Sequence, residues 1–397
     1  MLEYAGSQRS GLATEREAPG VVSIARSIDW ILLAGVAALV LVGLWGVAGV
    51  TKFDIANDPG YYLNRQILYA AVGCVVLVAA ALIDPDVYRR YWRAIFVGTC
   101  VVIAFVLLAG HAAHGSTRWI NLGFFTFQPS EFGKLLFVLA LAGMLSERQR
   151  LIGSWGTTLK VVGLGLIPVL LVFAQPDLGT ALVYSAALAA MLFVAGVPWR
   201  HLALLGAVLV VVVVGVLWAG PAAGVNVLKS YQQQRLTCFT HPSSCPAAAG
   251  YNLKQSQTTV GSGQIRGRGV KNSTQVKLGF LPESQTDFIF AAFAEQRGFI
   301  GAAILLGLYL LVLWRGLRVV TVARDLFSAI VAGGIVVALL FQIYVNVGMT
   351  MGIAPITGIP LPFVSVGGSS LIANLAAMGV LLAIYARGRV SRYSRRR

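Results

Sequence analysis

The sequence predicts an all-α polytopic membrane protein with ten transmembrane helices. Its 397 residues are 57% apolar and only 12% charged, against roughly 25% charged residues in soluble domains. A soluble core of this size could not bury so much apolar surface, which excludes an ordinary cytosolic enzyme. Four cysteines are too few to hold a disulfide scaffold together.

Long apolar runs recur along the chain, and each is long enough to form a membrane helix. Residues 1–27 are polar and lack the short apolar core of a cleavable signal, so they predict a cytoplasmic N-terminal tail before an uncleaved first span. Residues 28–387 form the predicted transmembrane domain, and 388–397 form a basic cytoplasmic tail. The predicted spans are 29–50, 66–83, 94–111, 129–146, 160–175, 178–197, 201–220, 298–315, 326–348 and 367–386.

The placement of the basic residues orients these spans. The net charge is +16. Much of the positive charge lies in short loops and in the C-terminal tail, which is the positive-inside pattern. Both termini are therefore predicted to lie in the cytoplasm. No folded polar domain is available to carry nucleic-acid binding.

The long polar stretch 221–297 is predicted to be an extracytoplasmic loop between the seventh and eighth spans. It is basic as well, and long loops cross the membrane whatever their charge. An anionic ligand or attraction to anionic lipid would each account for its charge, and both readings stay open. Cys238 and Cys245 lie in this loop, where they would form either a disulfide or two free thiols.

Ionisable residues within spans are costly and need an explanation. Asp29 lies at the inner end of the first span, where we expect it to reach water. Glu131 and Lys134 are three residues apart and share a helix face, where they can pair. They follow Pro129 in what looks like the first turn of a helix. The alternatives are a capped helix with an internal ion pair or the polar wall of an outward-facing cavity.

Two further acids allow a structural and a functional interpretation. Asp177 follows a proline between two spans and is predicted to cap the next helix. Asp287 lies where the long loop meets an apolar run, and either Thr286 or Asp287 could be an N-cap. An acid beside Phe288 at the membrane edge would also be partly desolvated, which would make it a better general base.

Glycines and prolines interrupt two regions. The segment 261–269 contains four glycines that could bring main-chain N–H groups to a phosphate, but no strand precedes it, so a flexible turn is the simpler interpretation. The segment 357–370 cannot form regular helix throughout and is predicted to be a re-entrant or outer loop that lines a cavity. The four histidines are scattered, and no set with metal-ligand spacing is evident.

Five groups of short sequence strings lie in these regions. They are Arg118-Trp119-Ile120, Phe127-Gln128-Pro129-Ser130-Glu131 with Lys134, Gln175-Pro176-Asp177-Leu178-Gly179-Thr180, Phe280-Leu281-Pro282-Glu283 leading to Thr286-Asp287-Phe288-Ile289-Phe290, and Thr357-Gly358-Ile359-Pro360-Leu361-Pro362-Phe363 with Gly367-Gly368-Ser369-Ser370.

Together these strings resemble the SEDS family (shape, elongation, division and sporulation proteins) over residues 28–387. The strings around Phe280 and Asn346 look more like the elongation branch than the division branch. The resemblance implies a glycosyltransferase-C-like membrane fold with ten spans and a large outer loop after the seventh. The chain departs from the family at Val366, where tyrosine is usual, and at Gln296, where a second glutamate is common.

The resemblance also implies an activity, which is polymerisation of lipid II into peptidoglycan outside the cytoplasmic membrane. The family's essential acid falls on Asp287, the expected general base. A class B penicillin-binding protein is the implied partner, membrane lipids surround the chain, and a divalent cation (Mg²⁺ or Mn²⁺) is a candidate cofactor that the sequence does not place. The residues expected to bind substrate are Arg118, Glu131, Lys134, Asp177, Gln255, Ser256, Arg266, Glu283, Thr286, Ser369 and Ser370.

Two alternatives belong to other functional classes. A lipid II flippase would also need polar residues inside spans, although no span-by-span internal repeat is evident. A scaffold would only bind the partner enzyme. Polymer formation in detergent, where no bilayer exists, separates an enzyme from a flippase.

Overall fold

A computed structural model describes residues 27–53, 58–109, 111–113, 116–121, 126–216 and 247–394. Cys238 and Cys245, and the last residues predicted for the seventh span, lie outside these ranges. The helices are α1 (Trp30–Val50), α2 (Tyr61–Leu82), α3 (Pro85–Arg90), α4 (Trp92–Ala109), α5 (Pro129–Glu147), α6 (Trp155–Ala174), α7 (Leu178–Val194), α8 (Trp199–Val214), α9 (Ala247–Ser262), α10 (Gly269–Asn272), α11 (Thr274–Lys277), α12 (Ile289–Val322), α13 (Leu326–Met351) and α14 (Gly368–Ser394), with 3₁₀ turns at Thr51–Phe53 and Gln149–Leu151.

The helices confirm the predicted fold class. Within the described residues, seven helices (α1, α2, α5, α6, α12, α13 and α14) are long and apolar enough to cross a membrane. Shorter apolar helices occur at α4, α7 and α8. Each of these elements overlaps one predicted span, in order. The last helix differs at its end, because α14 continues to Ser394 and takes in most of the predicted basic tail.

Three short strands, β1 (His111–Ala113), β2 (Ser116–Asn121) and β3 (Thr126–Phe127), lie between α4 and α5. They pair antiparallel in the order β1-β2-β3. They were not predicted from the sequence, because strands of this length carry too few residues for a period-two pattern to show.

The eighth span was predicted to begin at residue 298, and the helix is broken at that residue. The helical segment before it was not predicted. Helical structure begins at Ile289, and Gly298 interrupts it with φ of 69°, a conformation that costs glycine little because it has no Cβ. The main-chain N–H groups of Phe299 and Ile300 donate to the carbonyls of Gln264 and Ile265, at 2.8 and 3.2 Å. Residues 289–297 are thus a separate helical segment, and a second segment continues from 299 to 322.

Helix α14 lies at the centre of the bundle. Its apolar stretch is completely buried, as expected for a helix that is apolar on all sides, and it packs mainly against α2 and α5. The chain before it is non-helical, and Leu361, Phe363 and Val364 there are at most 2% exposed. Irregular backbone is tolerated inside a membrane protein where protein covers it, which agrees with the predicted re-entrant loop.

Asp29 does not reach water as expected, because it forms a buried ion pair with Arg315. The carboxylate Oδ2 accepts hydrogen bonds from Nε and Nη2 of Arg315 at 3.0 and 2.6 Å, and both side chains are at most 4% exposed. Its Oδ1 accepts the N–H of Leu32 and so caps α1. The pair joins the start of α1 to the second segment of α12, so these two helices run antiparallel.

A second charged cluster lies at the same end of the bundle. Asp84 accepts a hydrogen bond from Arg387 Nε at 3.1 Å, and Arg324 lies 2.6 Å from Asp86 and 3.3 Å from Asp84. Burial raises the pKa of Asp84, but the N–H of Asp86 and the charges of Arg387 and Arg324 outweigh it and hold that pKa below its ordinary value. The cluster joins the α2–α3 and α12–α13 connections to α14.

Candidate functional site

The residues 281–288 form a compact turn that brings three predicted site residues together. The carbonyl of Glu283 accepts the N–H groups of Thr286 and Phe288 at 3.2 and 3.1 Å, and the Thr286 hydroxyl donates to Glu283 Oε2 at 2.9 Å. Asp287 is half-buried between them and α12. Because α12 has Phe288 at its N-cap position, the interpretation of Thr286 or Asp287 as the N-cap is wrong.

The main chain of this turn is held from three places. Asn346 of α13 donates through Nδ2 to the carbonyl of Asp287 at 2.9 Å. The hydroxyl of Ser365 donates to the carbonyl of Thr286 at 2.6 Å, and the N–H of Val366 donates to the carbonyl of residue 285 at 2.9 Å. Three successive carbonyls are therefore fixed, and the sequence analysis did not assign this role to Asn346 or Ser365.

Gln66 of α2 hydrogen-bonds to the main chain on either side of Val366 and so fixes the segment that carries two of these anchors. It is 2% exposed, its amide Nε2 donates to the carbonyl of Ser365 at 3.1 Å, and its Oε1 accepts the N–H of Gly367 at 3.3 Å. Asn346 also donates to the carbonyl of Ile359 at 2.7 Å. Gln66 and Asn346 could have been identified from the sequence as anchoring residues, because a polar side chain inside an apolar span must find a hydrogen-bond partner.

The predicted pairing of Glu131 with Lys134 is confirmed. Lys134 Nζ donates to Glu131 Oε2 at 2.7 Å, and both residues are at most 8% exposed. They line a cavity of about 30 Å³ together with Gln342 of α13 and Asn374 of α14, which is room for one or two water molecules. Ser370 accepts a hydrogen bond from Asn374 at 3.2 Å, so it belongs to the same polar region.

Asp177 and Ser369 are joined through Gln128. Asp177 Oδ1 accepts the N–H of Thr180 at 3.1 Å, which confirms the predicted cap, and its Oδ2 accepts Gln128 Nε2 at 3.3 Å. The N–H of Gln128 donates to Ser369 Oγ at 3.0 Å, and that hydroxyl donates to the carbonyl of Thr126. This network fixes the start of α5, and with it Glu131, against α7 and α14.

The remaining predicted residues lie elsewhere. The Ser256 hydroxyl is fully buried and donates to the carbonyl of Thr350 at 3.0 Å, which docks α9 on α13. Gln255 bonds to a glutamine of α11. Arg266 is exposed and lines a groove between α1 and α12. Arg118 is in β2, and its side chain is outside the described part of the structure.

The described residues contain no group of three His, Cys, Asp or Glu side chains that could hold a metal ion. Glu283 and Asp287 are the carboxylates of the 281–288 turn. Mg²⁺ is commonly held by one or two carboxylates with substrate phosphates completing its shell. The donor set of the turn fits that mode and does not fit a dedicated protein cage.

Comparison with known proteins gives one consistent result. The FtsW/RodA/SpoVE profile, described as cell cycle protein, matches residues 26–389. The peptidoglycan glycosyltransferase MrdB of Escherichia coli (strain K12) is 36% identical over 351 residues, covering 87% of this chain and 92% of MrdB. The stage V sporulation protein E of Bacillus subtilis (strain 168) is 36% identical over 387 residues, covering 97% and 100%.

Solved structures agree with these relatives. A chain of a peptidoglycan synthase complex, studied for its coordination of polymerization and crosslinking, matches with a TM-score of 0.77 and 32% identity over 91% of this chain and 98% of that chain. The rod shape determining protein RodA of Thermus thermophilus matches with a TM-score of 0.66 and 29% identity, covering 90% and 96%. The chain therefore belongs to the FtsW/RodA/SpoVE (SEDS) family, in which MrdB and RodA are named peptidoglycan glycosyltransferases and FtsW is named a probable one.

Proposed function

We propose that this chain polymerises lipid II into β-1,4-linked glycan strands with Asp287 as the general base. The supporting observation is that three hydrogen bonds fix the 281–288 turn. Its carbonyls at 285–287 accept them from Val366, Ser365 and Asn346. A turn fixed at three successive main-chain positions keeps its carboxylate in one place. Such positioning is what converts a weak base into an effective catalyst.

The chemistry follows from the two sugars. The carboxylate of Asp287 takes the proton of the acceptor's 4-hydroxyl, and that oxygen forms a bond to the anomeric carbon of the donor sugar. The bond from this carbon to the lipid pyrophosphate breaks, and the electron pair leaves with undecaprenyl pyrophosphate. A single displacement from the opposite face inverts an α-linked donor to a β-linkage.

Charge on the leaving pyrophosphate must be balanced. Lys134 has three donors, one of which binds Glu131, and Arg118 is the second basic candidate. A divalent cation held by Glu283 or Asp287 and the pyrophosphate would supply further charge neutralisation. Removal of divalent cations with EDTA, followed by Mg²⁺ or Mn²⁺ addition, tests that role directly.

We place the active site on the extracytoplasmic side, with both termini in the cytoplasm. The placement of the basic residues in short loops and in the C-terminal tail supports this orientation. Helix α1 starts beside the N-terminal tail, and its other end, at Gly46 and Gly49, packs against Phe293 and Gln296, which follow the turn. We further propose that this chain acts in cell elongation and not in division, and that its partner is a class B penicillin-binding protein. Rescue of an elongation-depleted strain, but not of a division-depleted strain, is the expected result.

The decisive variant is Asp287→Asn in the full chain, purified in detergent and given lipid II. Asparagine keeps the shape of the side chain but cannot accept the proton, so glycan output should fall about 10²–10⁴-fold. Asp58→Asn, an exposed acid in another connection, is the matched control and should polymerise normally. Normal polymer from Asp287→Asn would contradict the base assignment.

The same assay separates the flippase alternative. A flippase makes no glycan in detergent, whereas a polymerase does so without a bilayer. Absence of polymer from the wild-type protein, together with transfer of fluorescent lipid II across vesicle membranes, would replace the proposal with the transporter reading.

A further inference from the structure

A second concave site lies between α1, the first turns of α12 and the connection from α9 to α10. We call it the α1–α12 groove; it has a volume of about 560 Å³. Three guanidinium groups line it, and neither Asp nor Glu is among its described lining residues. Its lining residues include Trp45, Arg266, Arg268, Gln296, Arg297, Ile300 and Ile304.

Two polar groups in the groove lack partners within the described structure. Gln296 is 2% exposed, and its amide Nε2 is buried without a hydrogen-bond acceptor. The buried Nε of Arg297 also lacks an acceptor. Leaving a buried donor unsatisfied costs about as much as losing a hydrogen bond, so native proteins rarely tolerate it. Both groups are donors, and what they lack is an oxygen-rich acceptor.

Both residues line the groove, and the main chain packs closely beside them. Gly267 and Gly298 meet main chain to main chain, where a Cβ on either would overlap the partner's backbone. This close contact places the α9–α10 connection directly over the end of segment 289–297. The guanidinium of Arg297 lies 3.5 Å from the centre of the Trp45 ring, a cation–π contact that holds it in one orientation.

Neighbouring groups leave the groove positive. The carboxylate of Glu295 is fully buried and accepts the main-chain N–H groups of Gln275 and Val276 at 3.0 and 3.2 Å, so it is engaged outside the groove. Arg268 donates through Nε to the carbonyl of Ser262 at 2.9 Å. That bond orients the guanidinium without neutralising its charge.

One wall of the groove is apolar and faces the surface of the bundle. Trp45, Ile300 and Ile304 are 51%, 49% and 58% exposed. In a membrane-spanning bundle, exposed apolar side chains at span positions contact acyl chains. A ligand that pairs with the guanidinium groups and also covers the apolar wall must combine an anionic head group with a hydrocarbon tail.

We propose that the α1–α12 groove binds the phosphate head group of a membrane lipid, with its tail along Ile300 and Ile304. Guanidinium groups suit phosphate because their paired N–H donors match its oxygens. The phosphate could be that of an isoprenoid carrier or that of a phospholipid, since the recognising chemistry is the same. This site lies outside the 281–288 turn, and its occupancy does not depend on the proposed polymerase activity.

Native mass spectrometry of the full chain in a neutral detergent tests this site. The probes are undecaprenyl phosphate, dioleoylphosphatidylglycerol and, as a phosphate-free lipid, dioleoylglycerol. We expect saturable binding of at least one phosphate lipid and none of dioleoylglycerol; the tighter phosphate lipid identifies the source. Arg297→Gln and Arg266→Gln should each weaken that binding about tenfold, the effect of losing one charge-assisted hydrogen bond.

The controls keep the test independent of folding and of catalysis. Arg318→Gln removes one exposed arginine from the other end of α12 and should bind like the wild type. Arg266 is exposed, so its replacement reports on binding even where Arg297→Gln fails to fold. Wild-type binding by the Arg266 variant and a folded Arg297 variant, or equal binding of dioleoylglycerol by the wild type, would overturn the proposal. Neither measurement uses glycan synthesis.

Discussion

Replacing Asn346 with leucine should disable the site by displacing Asp287, although the Asp287 side chain itself is unchanged. Asn346 is completely buried and donates to the carbonyls of Asp287 and Ile359, at 2.9 and 2.7 Å. Leucine has a similar volume and no donor, so both carbonyls lose a partner at about 1–3 kcal/mol each. The turn can recover part of this free energy by moving toward water or another donor. A shift of about 1 Å at a reacting group lowers the rate roughly 10²-fold.

The assay is lipid II polymerisation at several substrate concentrations. Thermal unfolding of the purified protein first identifies a temperature at which the variant is folded, and the assay is run at that temperature. We expect kcat to fall about 10²-fold with little change in KM, because the anchor positions the base and binds no substrate. Asn64→Leu, an exposed asparagine at the start of α2, is the matched control. A folded Asn346→Leu protein with wild-type kcat would refute the view that this anchor positions Asp287.

Two other predictions concern stability. Arg315→Met should destabilise the protein by about 3–5 kcal/mol because it leaves Asp29 charged and buried. Asp29→Leu combined with Arg315→Met should cost only about 0.5–2 kcal/mol, since it removes the buried charge and loses only the Asp29 cap on α1. Thermal unfolding in detergent measures both, and equal losses would contradict the reasoning. The pKa of Asp84 is held below its ordinary value of 3.8, so its stabilisation is complete above that pH and is lost as the pH falls through the lowered value. Asp84→Asn should therefore flatten the acid limb of a melting-temperature profile, and an unchanged acid limb would show that this carboxylate is not responsible.

Hydropathy alone predicted the order and approximate bounds of the membrane helices, because a bilayer requires long apolar runs whatever the rest of the fold does. Pairing of Glu131 with Lys134 was also predictable, since residues three apart on a helix are neighbours. The start of the eighth span at 298 was predicted as well, but the helical segment 289–297 before Gly298 was not, because Glu295 and Arg297 interrupt the apolar run there.

The residues of the candidate site were predicted from the sequence, but the hydrogen bonds that fix its main chain were not. Glu283, Thr286 and Asp287 are close in sequence, so one turn unites them. Asn346 and Ser365 are 59 and 79 residues away from the carbonyls they bind, and nothing local marks such pairs. The Ser256 hydroxyl donates to the carbonyl of Thr350 and docks α9 on α13, a structural role that was not predicted, while its role in substrate binding stays a prediction.

The separation between the 281–288 turn and its anchors has a consequence for biosynthesis. The turn is synthesised before Asn346 and Ser365, so most of the helices precede the residues that fix it. The main chain around Asp287 can therefore take its final position only after the last two helices, α13 and α14, have joined the bundle.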